Sequence, residues 1–352
     1  MKNSVMRVLD GAVADGGVPG ILAEIHHGQD RWFGTAGVAD IETGARREAG
    51  HRFRIGSTTK TFVATVVLQL AGEGELSLDD TVATWLPGLI GDEITVRQLL
   101  NHTSGLFNYV LAPALIATYT GLAFLEHRFD SIKPERLVEI AMSHPADFAP
   151  GTAWGYSNTN YVVAGLLIER VTGASLADEI SRRVLRPLGL TGTSVPVGDD
   201  ASIAGPHSRH YSKLYLPDID GRDVTELNPS WARGAGDMIS TAADLGVFFR
   251  ELLGGGLLKP AEQQEMFTTV ATGDKWIPNT GYGLGVASVR LARGTEVWGM
   301  GGAIHGSWSY SFGTRDGSRL VVVNVNGDWA AGGRPDPIGV FTDLLEAEFA
   351  SE

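Results

Sequence analysis

The sequence predicts an α/β (α+β) fold, with an antiparallel sheet flanked by helices and an inserted, mostly helical domain. Strand-like apolar runs lie near both chain ends, at 21–39 and 281–326. Between them, segments with the 3.6-residue period of helices alternate with loops rich in glycine and proline. We therefore predict one α/β domain built from residues 1–75 and 225–352, and a mostly helical domain from residues 76–224.

Composition narrows the class of protein. The chain has 352 residues, no cysteine and a formal net charge of −13. The length allows one large or two ordinary domains, and the missing cysteine excludes disulfides, thiol nucleophiles and thiolate metal sites. Nucleic acids and anionic membranes bind basic faces, so neither is expected as a partner. The N-terminus lacks the apolar region of a signal peptide, and no run resembles a membrane span, so we expect a cytoplasmic protein.

Both chain ends supply elements of the α/β domain. An amphipathic helix over 3–16 precedes a hairpin of strands over 21–27 and 31–39. A helix beginning at Ser57 is apolar nearly all round, which indicates a central, buried helix. The elements predicted near the C-terminus are a helix over 241–253, strands over 281–291, 296–302, 307–314 and 319–326, and a closing helix over 338–350.

The middle of the chain carries the inserted domain. Its predicted helices cover 96–101, 134–143, 158–172 and 175–184. The stretch 107–133 has a mixed pattern and receives no assignment.

A serine and a lysine stand three residues apart where the buried helix begins. Ser57 and Lys60 share one helix face, so a lysine made neutral by burial could take the proton of the serine hydroxyl. The alternative is a serine that caps the helix, followed by a surface lysine. Lys60 is the only charged residue between positions 56 and 72, and a lone charge in an apolar helix favours catalysis.

A second polar group precedes the helix at 158–172. Tyr156 could pass a proton to a leaving group, and Asn158 could hold Lys60 or a substrate amide. The alternative is a core tyrosine beside an asparagine that caps the helix. Taken alone, this motif favours the structural interpretation.

Three motifs in order resemble those of a known family. They are Ser57-Thr58-Thr59-Lys60, then Asn101-His102-Thr103-Ser104-Gly105-Leu106, then Tyr156-Ser157-Asn158. This order and spacing are similar to the class C β-lactamase and DD-peptidase family of penicillin-recognising serine hydrolases. That family also contains esterases, D-amino-acid amidases and acyltransferases. The resemblance covers about residues 20–326 and implies the split α/β domain with a helical insertion.

The resemblance implies a role for each matching residue. Ser57 matches the acylated nucleophile, Lys60 its base, and Tyr156 the residue that relays a proton to the leaving group. Asn158 matches a residue that hydrogen-bonds substrate, and Trp231 is expected to line the cleft. His102 belongs to a loop motif of the family, for which we expect a structural role.

The third family motif is altered in this chain. The family has Lys or His, then Thr or Ser, then Gly, whereas this chain has Met300-Gly301-Gly302 followed by Ala303. Met300, Gly301, Gly302 and Ala303 are expected to line the substrate site. The backbone N–H of Ala303 could still complete an oxyanion hole with that of Ser57, because this function needs no side chain.

The same comparison predicts a change of substrate. In the carboxypeptidases of the family, an arginine and hydroxyls of the third motif bind the substrate carboxylate. The matching positions here are Ala287, Gly301 and Ala303, which cannot pair with an anion. We therefore expect loss of DD-carboxypeptidase and efficient penicillinase activity, and a preference for neutral ester or amide donors.

Several histidines allow more than one interpretation. His305 lies two residues beyond Ala303, and strand alternation predicts that both share one strand face, at the edge of the substrate site. A solvent-facing or hydrogen-bonded structural histidine is the alternative. His26-His27 and the pair His207 and His210 lack the pattern of a metal site, so we expect no metal and no cofactor.

These observations predict a serine hydrolase or acyltransferase that forms an acyl-enzyme at Ser57. Its partners would be a small acyl donor and water, an amine or an alcohol as acceptor, with an oligomeric state that the sequence leaves open. Hydrolysis to give an esterase or amidase is slightly favoured over a biosynthetic transacylase. A catalytically weakened, ligand-binding homologue is the alternative from another class.

Overall fold

The computed structural model describes residues 2–15, 17–216, 218–329 and 337–350. Its main sheet has eight antiparallel strands in the order β2-β1-β12-β11-β10-β9-β8-β7, and two short ribbons pair β3 with β6 and β4 with β5. The strands of the described residues are β1 (Gly20–His27), β2 (Asp30–Gly37), β3 (Phe53–Arg54), β4 (Tyr211–Ser212), β5 (Arg222–Asp223), β6 (Ile239–Ser240), β7 (Val270–Ala271), β8 (Thr280–Tyr282), β9 (Ala287–Arg290), β10 (Glu296–Ile304), β11 (Ser307–Gly313) and β12 (Arg319–Val325).

Helices cover the sheet and form most of the middle of the chain. A π-helical turn, Ser181–Leu185, joins two of them. The described α-helices are α1 (Lys2–Ala14), α2 (Thr59–Glu73), α3 (Val96–Leu100), α4 (Pro113–Tyr119), α5 (Ala123–His127), α6 (Pro134–Met142), α7 (Thr159–Thr172), α8 (Leu176–Ile180), α9 (Arg186–Leu188), α10 (Ala242–Leu253), α11 (Pro260–Met266) and α12 (Ile338–Phe349).

The central strands are buried because helices pack on both sheet faces. Neighbouring side chains of β1 point to opposite faces. His26 contacts α10 at Gly246, where an added Cβ would lie 2.3 Å from the imidazole, whereas His27 hydrogen-bonds Glu348 of α12. This double cover explains why β1 is buried along nearly its whole length.

The predicted fold class is confirmed. An antiparallel sheet built from both chain ends is flanked by helices, and the chain between β3 and β6 contains α2–α9. The domain boundaries at residues 75 and 225 stay a prediction, as does the compartment. None of the helices in the described ranges combines the length and hydropathy that crossing a bilayer requires.

The structure differs from the sequence-based assignment in several details. The predicted strand over 281–291 is two strands, β8 and β9, because Gly283 and Gly285 form a loop between them. Gly285 has φ +77°, and an added Cβ would lie 2.4 Å from the Cβ of Ala64 on α2, so the loop packs directly on that helix. The unassigned stretch 107–133 contains the 3₁₀ turn Tyr109–Leu111 with α4 and α5, and the prediction did not include α11 or β7.

The sheet leaves one strand edge open beside the start of α2. β9 pairs with β10 only as far as Gly299, so residues 300–304 have a strand neighbour on the β11 side alone among the described residues. The 3₁₀ turn Gly56–Thr58, which leads into α2, packs against this edge. The predicted nucleophile and the predicted third motif are therefore neighbours.

Candidate active site

Ser57 lies in the 3₁₀ turn that begins the buried helix. Gly56 has φ +50°, a conformation that side-chain-bearing residues rarely adopt, and an added Cβ would lie 2.5 Å from the backbone nitrogen of Ala303. Glycine is thus required where the turn meets β10. The side chain of Ser57 is partly exposed and lines an open cavity, so a substrate can reach its hydroxyl.

Lys60 is fully buried and aimed at Ser57. Its Nζ lies 3.0 Å from Ser57 Oγ, 2.7 Å from Asn158 Oδ1 and 2.6 Å from the carbonyl oxygen of Ala235. The two carbonyl oxygens can only accept hydrogen bonds. A neutral amine has two hydrogens, both used here, so its remaining lone pair faces the serine hydroxyl. This is the arrangement of a general base.

Electrostatics favour that neutral amine. Burial holds the pKa of Lys60 well below its ordinary value, and the nearby Asp237 opposes this effect without reversing it. Burial also raises the pKa of Asp237 to about 6, against the opposing influence of Arg233. Burial therefore disfavours the charged form of both groups.

Tyr156 stands beside Ser57 and the lysine that contacts it. Burial raises its pKa, and a hydrogen bond with the side chain of Ser57 opposes part of that effect. Its ring centroid lies 4.9 Å from Lys60 Nζ. The phenol can thus give a proton to a group that departs from a carbonyl bound at Ser57.

His102 holds the loop that carries Tyr156. Its ring lies 4.4 Å from the Tyr156 ring, and its Nδ1 accepts hydrogen bonds from Ser157 N at 3.3 Å and Asn160 Nδ2 at 2.9 Å. The residue adopts φ 62°, which is uncommon outside glycine. Burial is the main cause that holds the pKa of His102 well below its usual value, and the nearby Lys60 adds to the effect. These contacts support the structural role expected for His102.

Asn158 connects Lys60 to a second asparagine. Its Oδ1 accepts from Lys60, while its backbone N–H and its Nδ2 donate to Asn108 Oδ1 at 3.1 and 3.3 Å. Asn108 therefore fixes the amide orientation. The second hydrogen of Nδ2 has no partner among the described residues and is available to a ligand.

Two backbone donors meet beside Ser57. An added Cβ on Gly302 would lie 1.9 Å from Ile55 O and 2.7 Å from Ser57 N. The backbone of residues 55–58 therefore touches that of residues 302 and 303 directly. This contact brings the N–H groups of Ser57 and Ala303 to adjoining segments, as an oxyanion hole requires.

The first cavity, here called the Met300 cavity, has a volume of about 390 Å³ and opens beside Ser57 and Tyr156. Its walls are apolar or aromatic, and none of its described lining residues is charged. The lining consists of Ser57, Tyr156, Trp276, Ile277, Pro278, Thr280, Ala287, Val289, Met300, Gly301, Gly302, Ala303, Trp308, Tyr310, Phe312 and Ile338.

The second cavity, here called the His305 cavity, has a volume of about 370 Å³. It shares Asn158 and Ala303 with the nucleophile region but is lined by neither Ser57 nor Tyr156. The lining consists of Tyr109, Val110, Leu111, Leu115, Ile116, Tyr119, Thr120, Asn158, Tyr215, Trp231, Ala303, Ile304 and His305. Trp231 lines this cavity, and its contact with substrate stays a prediction.

The alternation argument does not apply to His305, because the residue lies beyond the end of its strand, although Ala303 and His305 line the same cavity. β10 ends at Ile304, and His305 lies in the turn to β11, so Ala303 is exposed while His305 is only 3% exposed. Its ring stacks on Phe124 at 3.8 Å, and its Nε2 lies 2.8 Å from Tyr119 O. His305 is a buried wall of its own cavity and not a solvent-facing residue.

Sequence reasoning missed three parts of the site. The carbonyl of Ala235 and the carboxylate of Asp237 act on Lys60 from a loop about 175 residues away, so no local pattern could reveal them. Asn108 lies in the unassigned stretch. The aromatic wall of Trp308, Tyr310 and Phe312 did leave a signal, because aromatic residues at every second position of a strand share one face.

The other histidines do not form a metal site within the part of the chain that the structure describes. Glu24 lies 2.9 Å from His26 and 2.8 Å from Arg31, and His210 is fully buried whereas His207 is partly exposed. Within the described ranges, no group of three or more His, Asp or Glu side chains is placed to hold a metal ion.

An antiparallel sheet flanked by helices, with a serine and a buried lysine at one strand edge, is typical of serine hydrolases of the penicillin-recognising fold. A family model described as Beta-lactamase matches residues 5–335, and this chain belongs to that family. The members that resemble it include amidases, esterases and penicillin-binding proteins. The chain is a serine hydrolase of the beta-lactamase family.

Solved structures and curated relatives agree with this placement. A D-stereospecific amidohydrolase from Streptomyces sp. has a TM-score of 0.91 and 46% identity, with 99% of both chains covered. The D-amino acid amidase of Ochrobactrum anthropi SV3, complexed with D-phenylalanine, has a TM-score of 0.86 and 27% identity, covering 100% of this chain and 99% of that one. Esterase EstB of Burkholderia gladioli is 35% identical over 52% of this chain, which spans 48% of that relative's length.

Proposed function

We propose that this chain is an amidase or esterase that forms an acyl-enzyme at Ser57 from a neutral amide or ester donor. The observation that carries the proposal is the geometry of Lys60, whose Nζ lies 3.0 Å from Ser57 Oγ while its two other contacts are carbonyl oxygens, which can only accept hydrogen bonds. A lysine at the surface beside a serine that only caps the helix would not be buried with these contacts.

Acylation follows from these contacts. Lys60 takes the proton of Ser57 as the hydroxyl oxygen attacks the carbonyl carbon of the donor. The N–H groups of Ser57 and Ala303 hold the negative charge that develops on the carbonyl oxygen. Tyr156 gives its proton to the departing nitrogen or oxygen and can recover one from the Lys60 ammonium beside its ring.

Deacylation reverses the same proton transfers. Water in the space left by the leaving group gives a proton to the Tyr156 and Lys60 pair as it attacks the acyl carbon. Ser57 then departs with a proton returned from that pair, and the free acid leaves. No group other than the described side chains and backbone donors is needed.

The preference for neutral donors rests on the Met300 cavity. Tyr156 lines it, and a leaving group must lie next to the residue that protonates it, so this cavity holds the leaving group. Burying an unpaired carboxylate against Met300, Ala287 and the aromatic walls would be costly. Anionic cell-wall peptides and β-lactams are therefore poor donors, and nitrocefin should be hydrolysed slowly.

The similar proteins suggest a more specific class of acyl donor. The Streptomyces protein is described as a D-stereospecific amidohydrolase, and the Ochrobactrum protein as a D-amino acid amidase. We propose amides of D-configured amino acids as the first donors to test. An amide leaving group of this kind is small and uncharged after protonation by Tyr156.

Transfer to an amine or alcohol is the second candidate. The Met300 cavity, at about 390 Å³, holds far more than one water, and glycines at 301 and 302 keep side chains out of it. A bulky acceptor could therefore occupy the leaving-group side. Adding an amine to the reaction and measuring amide product against free acid separates transfer from hydrolysis.

The proposal is tested with a matched pair of donors. One is a D-amino-acid amide, and the other carries the same acyl group joined to an amino acid with a free carboxylate. We expect kcat/KM for the amide, whose leaving group is uncharged, to exceed that for the donor with a carboxylate on its leaving group at least tenfold. Equal turnover would overturn the argument from the cavity, and no turnover of either donor would favour a ligand-binding homologue.

A further inference from the structure

Strand β11 has one aromatic face and one face of serines. The aromatic face forms a wall of the Met300 cavity. Side chains alternate along a strand, so Ser307, Ser309 and Ser311 share the opposite face, and all three are completely buried. A buried hydroxyl costs free energy unless it is hydrogen-bonded. Alanine would fit the same space without this cost, which indicates a use for the hydroxyl groups.

Two of these hydroxyls bind the backbone just before the 3₁₀ turn that carries the nucleophile. Ser307 Oγ donates to the carbonyl oxygen of Arg54 at 2.7 Å. Ser309 Oγ donates to the carbonyl oxygen of Ile55 at 3.1 Å. The backbone N–H of Ile55 in turn donates to the carbonyl oxygen of Met238 at 3.0 Å. The peptide that joins Arg54 to Ile55 is therefore held at both of its polar groups.

The turn needs such anchors because it contains a glycine. Gly56 stands between Ile55 and Ser57, and glycine restricts backbone rotation least of all residues. The N–H of Ser57 belongs to the peptide that follows Gly56, so its direction depends on how firmly the preceding carbonyl groups are held. β11 pairs directly with β10, which carries Ala303, so both donors of the oxyanion hole are fixed relative to the same two strands.

A chain of hydrogen bonds with a single direction leads from the buried Arg47 to Ser307. Arg47 donates through Nη2 to Asn324 Oδ1 and through Nη1 to the backbone oxygen of Asn324 at 2.7 Å. Because a guanidinium can only donate, the amide nitrogen of Asn324 lies on the other side, where it donates to Ser307 Oγ at 3.0 Å and to Trp308 O at 2.9 Å. With Asn324 as its donor, the Ser307 hydroxyl turns its own hydrogen to Arg54.

The hydrogen bonds of Arg47 go to uncharged groups, although its guanidinium is buried. Apart from Asn324, its acceptors are Ser208 Oγ at 3.0 Å and Gly20 O at 3.4 Å. Burial lowers the pKa of Arg47 to about 9, so the guanidinium is charged at neutral pH. A charged donor at the start of a buried chain strengthens the bonds that follow, because each hydrogen bond polarises the next.

We propose that this chain from Arg47 through Asn324 to Ser307, together with Ser309, positions the N–H of Ser57 for the oxyanion hole, an inference that rests on the proposed acyl-transfer function. Ser307 and Asn324 line neither the Met300 cavity nor the His305 cavity, so they are positioning residues. A displaced N–H weakens the binding of the oxyanion in the transition state and leaves the binding of the neutral ester almost unchanged.

The test compares Ser307→Ala with Ser311→Ala. Each variant loses one buried hydroxyl from the same strand face, but Ser311 Oγ has no hydrogen-bond partner among the described residues. Single-turnover reactions with a p-nitrophenyl ester give the acylation rate constant and the dissociation constant of the ester. In Ser307→Ala the rate constant should fall about tenfold with an unchanged dissociation constant, because a misplacement of ~1 Å at a reacting centre can cost about 10²-fold. Ser311→Ala should react as the native protein does.

A boronic acid inhibitor separates positioning from general damage. It forms a tetrahedral adduct on the serine oxygen and places one of its own oxygens in the oxyanion hole, as the transition state does. Its inhibition constant should therefore rise in Ser307→Ala by the same factor as the acylation rate constant falls. It should not change in Ser311→Ala.

Asn324→Asp reverses the direction of the chain with a side chain of the same shape. The carboxylate still accepts from Arg47, but it also accepts from Ser307, whose hydrogen is thereby drawn away from Arg54. The acylation rate constant should again fall about tenfold. The new ion pair with Arg47 offsets the hydrogen bond that is lost to Trp308 O, so this variant should remain folded, which a thermal melting curve measures.

The outcomes separate this inference from the proposed function. Native acylation rates in both Ser307→Ala and Asn324→Asp, an equal loss in Ser311→Ala, or a loss in Ser307→Ala without weaker boronic acid binding overturns the positioning role. No release of p-nitrophenolate by the native protein overturns the proposed function instead. If Asn324→Asp does not fold, the comparison of Ser307→Ala with Ser311→Ala decides alone.

Discussion

Replacing Lys60 with methionine tests whether a neutral amine is the base of Ser57. Methionine has a similar length but no lone pair that can take a proton. General-base catalysis contributes roughly 10²–10⁴-fold to a rate. We expect the acylation rate of Lys60→Met to fall by about 10³-fold, which corresponds to ~4 kcal/mol of transition-state stabilisation.

The same substitution should change stability much less than activity. It leaves the carbonyl of Ala235 without its buried donor, which costs about 1–3 kcal/mol. It also removes an amine whose burial is unfavourable, as the lowered pKa of Lys60 records. These two effects oppose each other, so thermal unfolding should shift by only a few degrees.

The assay is the burst of p-nitrophenolate from an activated ester, followed by stopped flow under single-turnover conditions. Lys133→Met is the matched control, because Lys133 is exposed and lines neither cavity. The control should retain the native rate. An acylation rate of Lys60→Met within tenfold of the native rate would refute the reasoning.

Three further predictions follow from the site. Tyr156→Phe should slow amide turnover by roughly 10²–10⁴-fold, yet slow p-nitrophenyl esters much less, because that leaving group departs without a proton; equal losses would contradict the role in leaving-group protonation. Gly302→Ala places a Cβ 1.9 Å from a backbone oxygen and should lower the free energy of unfolding by about 1–3 kcal/mol, whereas Gly50→Ala, whose added Cβ meets nothing within 4 Å, should not; denaturant titration compares them. Asp237→Asn removes the charge that raises the pKa of Lys60, so the amine should lose its proton at lower pH; the acid limb of the kcat/KM profile should therefore move to lower pH, and a move to higher pH would show that the assignment is wrong.

The sequence predicted the sheet because its strands carry a local pattern. β1, β10, β11 and β12 are continuous or alternating apolar runs, and covered strands of this kind are recognisable one at a time. The predicted strand over 281–291 failed because the break at Gly283 and Gly285 is set by contact with α2. Such a contact joins residues far apart in the chain and leaves no periodic signal.

The candidate site likewise contains residues that a local sequence pattern predicted and residues that only distant contacts bring together. Ser57 and Lys60 were found because one turn of helix brings them together, and Asn158 because its motif precedes a helix. Ala235 and Asp237, which hold and polarise the same lysine, come from a loop with no distinctive composition. Strand alternation could not predict the position of His305, because β10 ends at Ile304, one residue before it.

The central claim is that Ser57 becomes acylated. Intact mass spectrometry after incubation with a fluorophosphonate or a p-nitrophenyl acyl ester measures this directly, and peptide mapping gives the position. We predict one adduct per chain on the peptide that contains Ser57, and none on Ser57→Ala. An unmodified native protein, or an equal adduct on Ser57→Ala, would contradict the account.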